Sequence, residues 1–212
     1  MSTPPDRLSA FADAAETWNR RYAGDDFLFG TEPNAWLREH AVSLPSGGRI
    51  LSVADGEGRN SVWLAQQGFQ VDAFDVAHRA VEKAQSFAKR QGVSVNFTIA
   101  DVDGFAWPEA AYDGVAAIFV QFADPDTRTR LFERIVRSLK PGGVLILQGY
   151  TPKQLEYRTG GPPILSHLYT PELLQAAFAG LSIIELKDYE AVVHEGRGHS
   201  GQSALIGLVA RR

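Results

Sequence analysis

Ile50-Leu51-Ser52-Val53-Ala54-Asp55-Gly56-Glu57-Gly58-Arg59-Asn60 is the stretch whose reading decides the fold. A short apolar run stops at a turn holding two glycines, and an apolar pattern of helical period follows at once. The run suits a buried parallel strand, while Gly56 and Gly58 allow a positive φ and leave the backbone open to a close neighbour. The helix beyond opens with unpaired N–H groups and the positive end of its dipole, which makes the turn a seat for negative charge. Glycines between a strand and a helix can also serve only to make the turn, and the stretch alone does not separate the two readings.

Composition bounds what the turn can belong to. With 212 residues, 44% hydrophobic and 22% charged, the chain can bury one sizeable core, and a single domain over 1–212 is expected, with 1–45 as an N-terminal cap and 46–212 as the core. The formal charge of -4 comes without a basic tract, so nucleic acid is not an expected partner. There are no cysteines, which excludes disulfides, thiolate metal sites and a cysteine nucleophile. Met1-Ser2-Thr3-Pro4-Pro5-Asp6 shows no cationic and apolar leader, and no apolar run reaches membrane-spanning length, so a cytoplasmic protein without a membrane partner is expected.

Outward from the turn, the pattern alternates. A helix is expected from about Leu8 to Tyr22, followed by the aromatic loop Phe27-Leu28-Phe29-Gly30 and a short helix carrying Trp36 and Leu37, with Trp18 and Trp36 assigned to packing on the sheet. After Leu44-Pro45-Ser46-Gly47-Gly48, strands are expected at 50–54, 69–74, 93–99, 112–120 and 144–147, with helices between them ending near Gly68, Gly92 and Lys140-Pro141-Gly142-Gly143. Residues 150–168 form a long irregular segment. Two last strands, 181–193 and 203–210, are joined by His194-Glu195-Gly196-Arg197-Gly198-His199-Ser200-Gly201 with no room for a crossover helix, so they should be antiparallel neighbours.

In a doubly wound sheet the ligand lies beyond the carboxyl ends of the strands where the winding reverses. That puts Gly56, Asp75 and Asp101 on one rim, with Asp75 placed to accept hydrogen bonds from a ribose diol. A dinucleotide fits poorly, because the third glycine of its fingerprint is Ser61 here and a pyrophosphate has no use for Asp101.

Residues 50–60, Asp75, Ala100-Asp101, Tyr112-Asp113 and Leu139-Lys140-Pro141-Gly142-Gly143 resemble, in order and spacing, the motifs of class I S-adenosylmethionine-dependent methyltransferases. Trp18-Asn19-Arg20-Arg21-Tyr22, Phe29-Gly30-Thr31-Glu32-Pro33-Asn34 and Gly56-Glu57-Gly58-Arg59-Asn60-Ser61 resemble the bacterial branch of tellurite-resistance and thiopurine methyltransferase-like proteins. The resemblance implies a three-layer, Rossmann-like α/β fold, with a mostly parallel seven-stranded sheet and an antiparallel C-terminal strand. It implies S-adenosyl-L-methionine as cofactor and a small-molecule methyl acceptor. Gly56 and Gly58 would pass the methionyl part, Asp75 would hold the ribose, Asp101 and Val102 would face the adenine, and Phe119 and Gln121 would lie near the sulfonium. Phe29 and Gly30 would close over the cofactor, and Ala54, Asn60 and Val76 complete the implied contacts. The chain departs from the family pattern at Ser52 and Ala54, where an acid and a glycine are usual, so a carboxylate near the cofactor amino group would be missing.

Methyl transfer from a sulfonium needs alignment of donor and acceptor and exclusion of water, plus a base only when the acceptor arrives protonated. His194 and His199 are the candidate bases, with solvated loop residues as the alternative for each. Arg197 is the catalytic-site cation, and Tyr157 and Arg158 are further polar candidates for an anionic or thiol-bearing substrate. No third ligand accompanies the two histidines, so no metal is expected. A cofactor-binding protein without turnover is the main alternative, and a nicotinamide oxidoreductase the third.

Overall fold

A computed structural model describes residues 7–212; the reading of Met1–Asp6 lies outside the described residues. Helix α1 (Arg7–Arg21) and helix α2 (Ala35–His40) precede the sheet. The alternating core then runs β1 (Arg49–Val53), α3 (Arg59–Gln66), β2 (Gln70–Asp75), α4 (His78–Arg90), β3 (Asn96–Ile99), β4 (Tyr112–Ile118), α5 (Pro125–Ser138) and β5 (Leu139–Tyr150). It ends with α6 (Gln154–Tyr157), α7 (Pro171–Ala177), β6 (Ser182–Glu195) and β7 (His199–Arg211).

The seven strands are ordered β3-β2-β1-β4-β5-β7-β6, and β7 runs antiparallel to both of its neighbours. The seven-stranded, mostly parallel sheet with one antiparallel C-terminal strand is the expected architecture. Period-two alternation along β1 divides the core: Leu51 and Val53 pack with Leu131 and Ile135 of α5, and Ile50 packs on the other face with Leu37 and Leu64. Trp36 lies flat on that second face, where a Cβ at Gly207 would overlap its ring. The order reverses between β1 and β4, and a crevice opens there at the strands' carboxyl ends.

Several elements differ from the sequence expectation, among them β3, which begins at Asn96 and not at residue 93. Strand β5 starts at Leu139, because residues 140–143 bulge out of the ladder between the pairs Tyr112↔Leu139 and Gly114↔Val144. Strand β4 stops at Ile118, where Phe119 turns into the left-handed region at φ 55°. The eight-residue loop expected between the last strands is a three-residue turn, since the ladder continues through Val193↔Gly201, His194↔Ser200 and Glu195↔His199. Gly196, at φ 66°, supplies the positive dihedral that so tight a reversal needs.

Candidate functional site

The glycine turn is shaped by carboxylates on both sides. Asp75, at the end of β2, accepts the Gly56 N–H through Oδ2 and the Ala77 N–H through Oδ1, both at 2.9 Å. Burial pushes its carboxyl up to about 6, against the lowering effect of those two N–H groups. Gly56 adopts φ 61°, and a Cβ there would stand 2.9 Å from the Tyr22 hydroxyl. Glycine at 56 therefore serves both the turn and the approach of the cap. Gly58 is small for another reason. At φ 90° it begins α3, and a Cβ would meet Ala84 at 2.8 Å, so it lets α3 pack on α4.

Asp55 is the feature that position-by-position sequence comparison missed. Its Oδ1 accepts the Ser52 hydroxyl at 2.6 Å and the Ser61 N–H at 3.2 Å, and its Oδ2 accepts the Ser61 hydroxyl. A carboxylate is thus present beneath the turn although position 52 lacks one, three residues further along the chain. Burial pushes the Asp55 carboxyl up while the two serines pull it down. Ser52 has no free hydroxyl hydrogen to offer a ligand.

The neighbouring residues of the turn bind the cap. Glu57 is buried and accepts the Leu28 N–H at 2.7 Å and the Lys83 ammonium at 2.5 Å. Lys83 also donates to the Gly24 and Asp26 carbonyls. Arg59 reaches the far end of the sheet, where its guanidinium meets Glu195 at 2.7 Å, the two side chains being 8% and 13% exposed.

These contacts enclose a cavity of about 150 Å³, open at its mouth, at the switch between β1 and β4. Phe29, Ala54, Gly56, Asn60, Asp75 and Val76 form part of its wall, as do Asp101, Val102 and Phe119. Trp18, expected to pack on the sheet, instead stacks on Tyr22 at 5.6 Å and lines the cavity. Phe122 stands in the wall and is 39% exposed.

Several expected site residues lie elsewhere. Gln121 is locked into the fold: its Nε2 donates to the Tyr150 and His167 carbonyls at 2.9 and 3.1 Å, and its Oε1 accepts the Tyr150 N–H at 2.6 Å. Gly30 and Gly58 are absent from the wall, the first because it is pressed against the hairpin turn at Gly196. Arg158 and Arg197 are exposed, and Tyr157 is held by Glu190.

The two histidines are separated by strand geometry. Directly paired residues of an antiparallel ladder share a face, and successive residues alternate. Glu195 and His199 are a pair, and both turn inward; His194 pairs with Ser200, and both are exposed. His199 is buried and lines the cavity, with Phe119 at 4.4 Å and Phe29 at 4.5 Å between ring centres. Its Nδ1 lies 3.7 Å from Glu195 Oε2, an ion-pair distance beyond hydrogen-bond range, and has no other partner.

The comparisons with known proteins bear on the domain and the fold. Residues 50–143 match the profile of a methyltransferase domain. A ubiquinone biosynthesis O-methyltransferase of Xanthomonas axonopodis pv. citri is 34% identical over 141 residues, covering 66% of this chain and 59% of that protein's length. Among solved structures, one concerned with conversion of a disulfide bond into a thioacetal group during echinomycin biosynthesis superposes with a TM-score of 0.72 and 19% identity, covering 93% of this chain and 92% of the other. TehB from Haemophilus influenzae gives 0.68 and 12%, covering 94% and 67%; at these identities the likeness is one of fold. Residues 50–143 thus match a methyltransferase domain, within a fold shared with solved S-adenosylmethionine-dependent methyltransferases.

Proposed function

We propose that the protein transfers the methyl group of S-adenosylmethionine to a small-molecule acceptor by in-line displacement. The observation that carries this reading is the convergence of Gly56, Asp75, Asp101 and Val102 on one rim of an aromatic-walled cavity at the sheet's switch point. The residues present fit the cofactor. Each Asp75 oxygen accepts one backbone N–H and retains a lone pair for a ribose hydroxyl. Asp101 and the buried Val102 stand beyond β3, where they would meet the adenine, and the aromatic side chains of Phe29 and Phe119 in the wall would favour a sulfonium. When bound, S-adenosylmethionine supplies an electrophilic methyl on a sulfur that becomes neutral as the bond breaks.

The chain's own contribution is to bind, align and exclude water. Trp18, Tyr22 and Phe29 roof the cavity, and the Leu28 backbone under that roof is tied to Glu57. The relative named as an O-methyltransferase supports a small acceptor. The cap sequences Trp18-Asn19-Arg20-Arg21-Tyr22 and Phe29-Gly30-Thr31-Glu32-Pro33-Asn34 support a place in the tellurite-resistance and thiopurine methyltransferase-like branch.

Calorimetric titration with S-adenosylhomocysteine tests the reading. Wild-type protein should bind it, and Asp75→Ala should weaken binding by about 10-fold or more, the loss of a hydrogen bond to a charged group being worth about 1.5–3 kcal/mol. Equal affinity in the variant, or no binding by the wild type, would sink it.

A further inference from the structure

We propose that His199 is the general base of the reaction, with Glu195 as its positioning residue, and that the acceptor is an un-ionised hydroxyl carried on an apolar or aromatic body. This rests on the cavity being the methyl-transfer site.

The charges of the cavity wall are unevenly placed. Asp75 and Asp101, at the ends of β2 and β3, lie on the nucleoside side; Phe119 and Phe122, from the segment after β4, and His199, from β7, lie on the other. The one Arg or Lys among the described wall residues is Arg59, and Glu195 already neutralises it. A phosphate or carboxylate acceptor therefore finds no unpaired cation in the wall, and on the side away from Asp75 and Asp101 an ammonium finds no unpaired anion. Phe122 in the wall is exposed, and Ile164 and Leu165 are exposed apolar side chains on the segment that His167 ties to the Gln121 carbonyl at 3.0 Å.

Such an acceptor reaches the site protonated, and the protein must take the proton. Glu195 stays ionised: burial works against its carboxylate, but His199 and the Arg59 guanidinium outweigh burial and hold the carboxyl at about 2. Asn34 Nδ2 fixes the other carboxylate oxygen at 2.9 Å. With a carboxylate 3.7 Å from Nδ1, the Nδ1–H tautomer is the one assigned, which leaves the Nε2 lone pair for the cavity. Burial keeps the imidazole below its ordinary value, Glu195 offsets part of that, and Arg59 adds to it. The charged and titratable groups around the ring are Glu195 on β6, Arg59 on α3, Arg21 on α1 and the unpartnered Tyr150 hydroxyl on β5. In the transfer, the acceptor oxygen forms the new bond to the methyl carbon and the electron pair of the broken carbon–sulfur bond stays on sulfur. The hydroxyl proton goes to His199 Nε2, and the imidazolium so formed faces the Glu195 carboxylate until it releases the proton to solvent.

The test has two arms. In 15N-histidine protein saturated with S-adenosylhomocysteine, the ring signal that His199→Gln removes should report a neutral Nδ1–H tautomer at pH 7, and Glu195→Gln should abolish that bias. A charged ring or the Nε2–H tautomer in the wild type overturns the base assignment. In the second arm, phenol, thiophenol and aniline are offered with S-adenosylmethionine as acceptors differing only in the attacking atom. Transfer to phenol should fall at least about 100-fold in kcat in His199→Gln, while S-adenosylhomocysteine affinity stays within about 3-fold. Glu195→Gln should move the acid limb of the kcat profile to lower pH, because its carboxylate raises the imidazole; a merely structural loss would lower the rate without moving the limb. No transfer to phenol, or transfer to thiophenol or aniline instead, overturns the acceptor class. Failure of the wild type to bind S-adenosylhomocysteine sinks the methyltransferase reading itself, whereas binding with the wrong tautomer sinks only this inference.

Discussion

Two turns of this molecule carry the same Gly-x-Gly pattern, Gly56-Glu57-Gly58 after β1 and Gly196-Arg197-Gly198 between β6 and β7, and they use it differently. Both open with a positive φ, 61° at Gly56 and 66° at Gly196. Both grip the Leu28 peptide, whose N–H goes to Glu57 at 2.7 Å and whose carbonyl accepts the Gly198 N–H at 3.1 Å. Only Gly56 lies on the cavity; Gly58, Gly196 and Gly198 are small so that α4 and the cap can approach. The middle residues divide as sharply, Glu57 being buried with two donors and Arg197 exposed. In these two turns each glycine stands against a close neighbour, and that neighbour is the protein's own chain.

The two turns are linked across the cavity by Arg59 and Glu195, and breaking that link should have the largest effect. Arg59→Leu leaves Glu195 buried beside no cation, and unfolding free energy should fall by about 3–5 kcal/mol in urea titrations. The pH dependence should change with it. A carboxyl held at about 2 in the folded chain and near its ordinary value when unfolded stabilises the fold above pH 4.5, and that contribution is lost as pH falls towards 2. The variant should lose the part of this acid-side slope that Arg59 supplies, leaving the part that His199 supplies. An unchanged slope between pH 5 and 2 would show that the pair does not span the two turns in solution.

A smaller effect should follow at the hairpin turn. A Cβ at Gly198 would overlap the Phe29 ring, which roofs the cavity and lies against His199. Gly198→Ala should cost about 1–3 kcal/mol of stability by overpacking and weaken S-adenosylhomocysteine binding, since Phe29 must shift. Gly68→Ala is the useful contrast: nothing lies within 4 Å of its Cβ position, so its backbone strain at φ 88° should not reach ligand binding. Equal binding defects in the two variants would mean that the hairpin does not hold the roof.

How far the site was legible follows the same division between local and distant contacts. The strand, turn and helix at 49–66 and the strand end at Asp75 were readable because their signals, an apolar run, a glycine and an acid at the right offset, lie within a few residues of one another. The choice between His194 and His199 was not, because it depends on a register that continues the ladder through what looks like a polar glycine loop. Gln121 stands at the expected place after β4, yet its amide is taken by Tyr150, 29 residues away, and by His167. Arg59 and Glu195 meet across 136 residues, a pairing that no spacing rule contains. Ser52 reads as the loss of an acid when its position is taken alone, whereas its hydroxyl holds the Asp55 carboxyl under the same turn.

The smallest prediction concerns the other departure from the family pattern, Ala54. It is a non-glycine residue at φ 48°, where a Cβ crowds the neighbouring carbonyl at a cost of roughly 1–2 kcal/mol. The conformation persists because its neighbours on both sides are fixed: β1 is paired through Val53, and the Asp55 N–H donates to the Phe74 carbonyl at 3.0 Å. Ala54→Gly removes the strain but gives the unfolded chain more freedom, a loss of about 0.4–1 kcal/mol, so the net gain should be about 0.5–1 kcal/mol. Ala54 is half-buried in the cavity wall, where its methyl group would lie beside the proposed cofactor. If the methyl only fills that space, the glycine variant should gain stability and bind S-adenosylhomocysteine unchanged. If stability rises while affinity falls, the strained alanine is a packing surface for the methionyl chain, and its strain is retained for binding rather than left over from the turn.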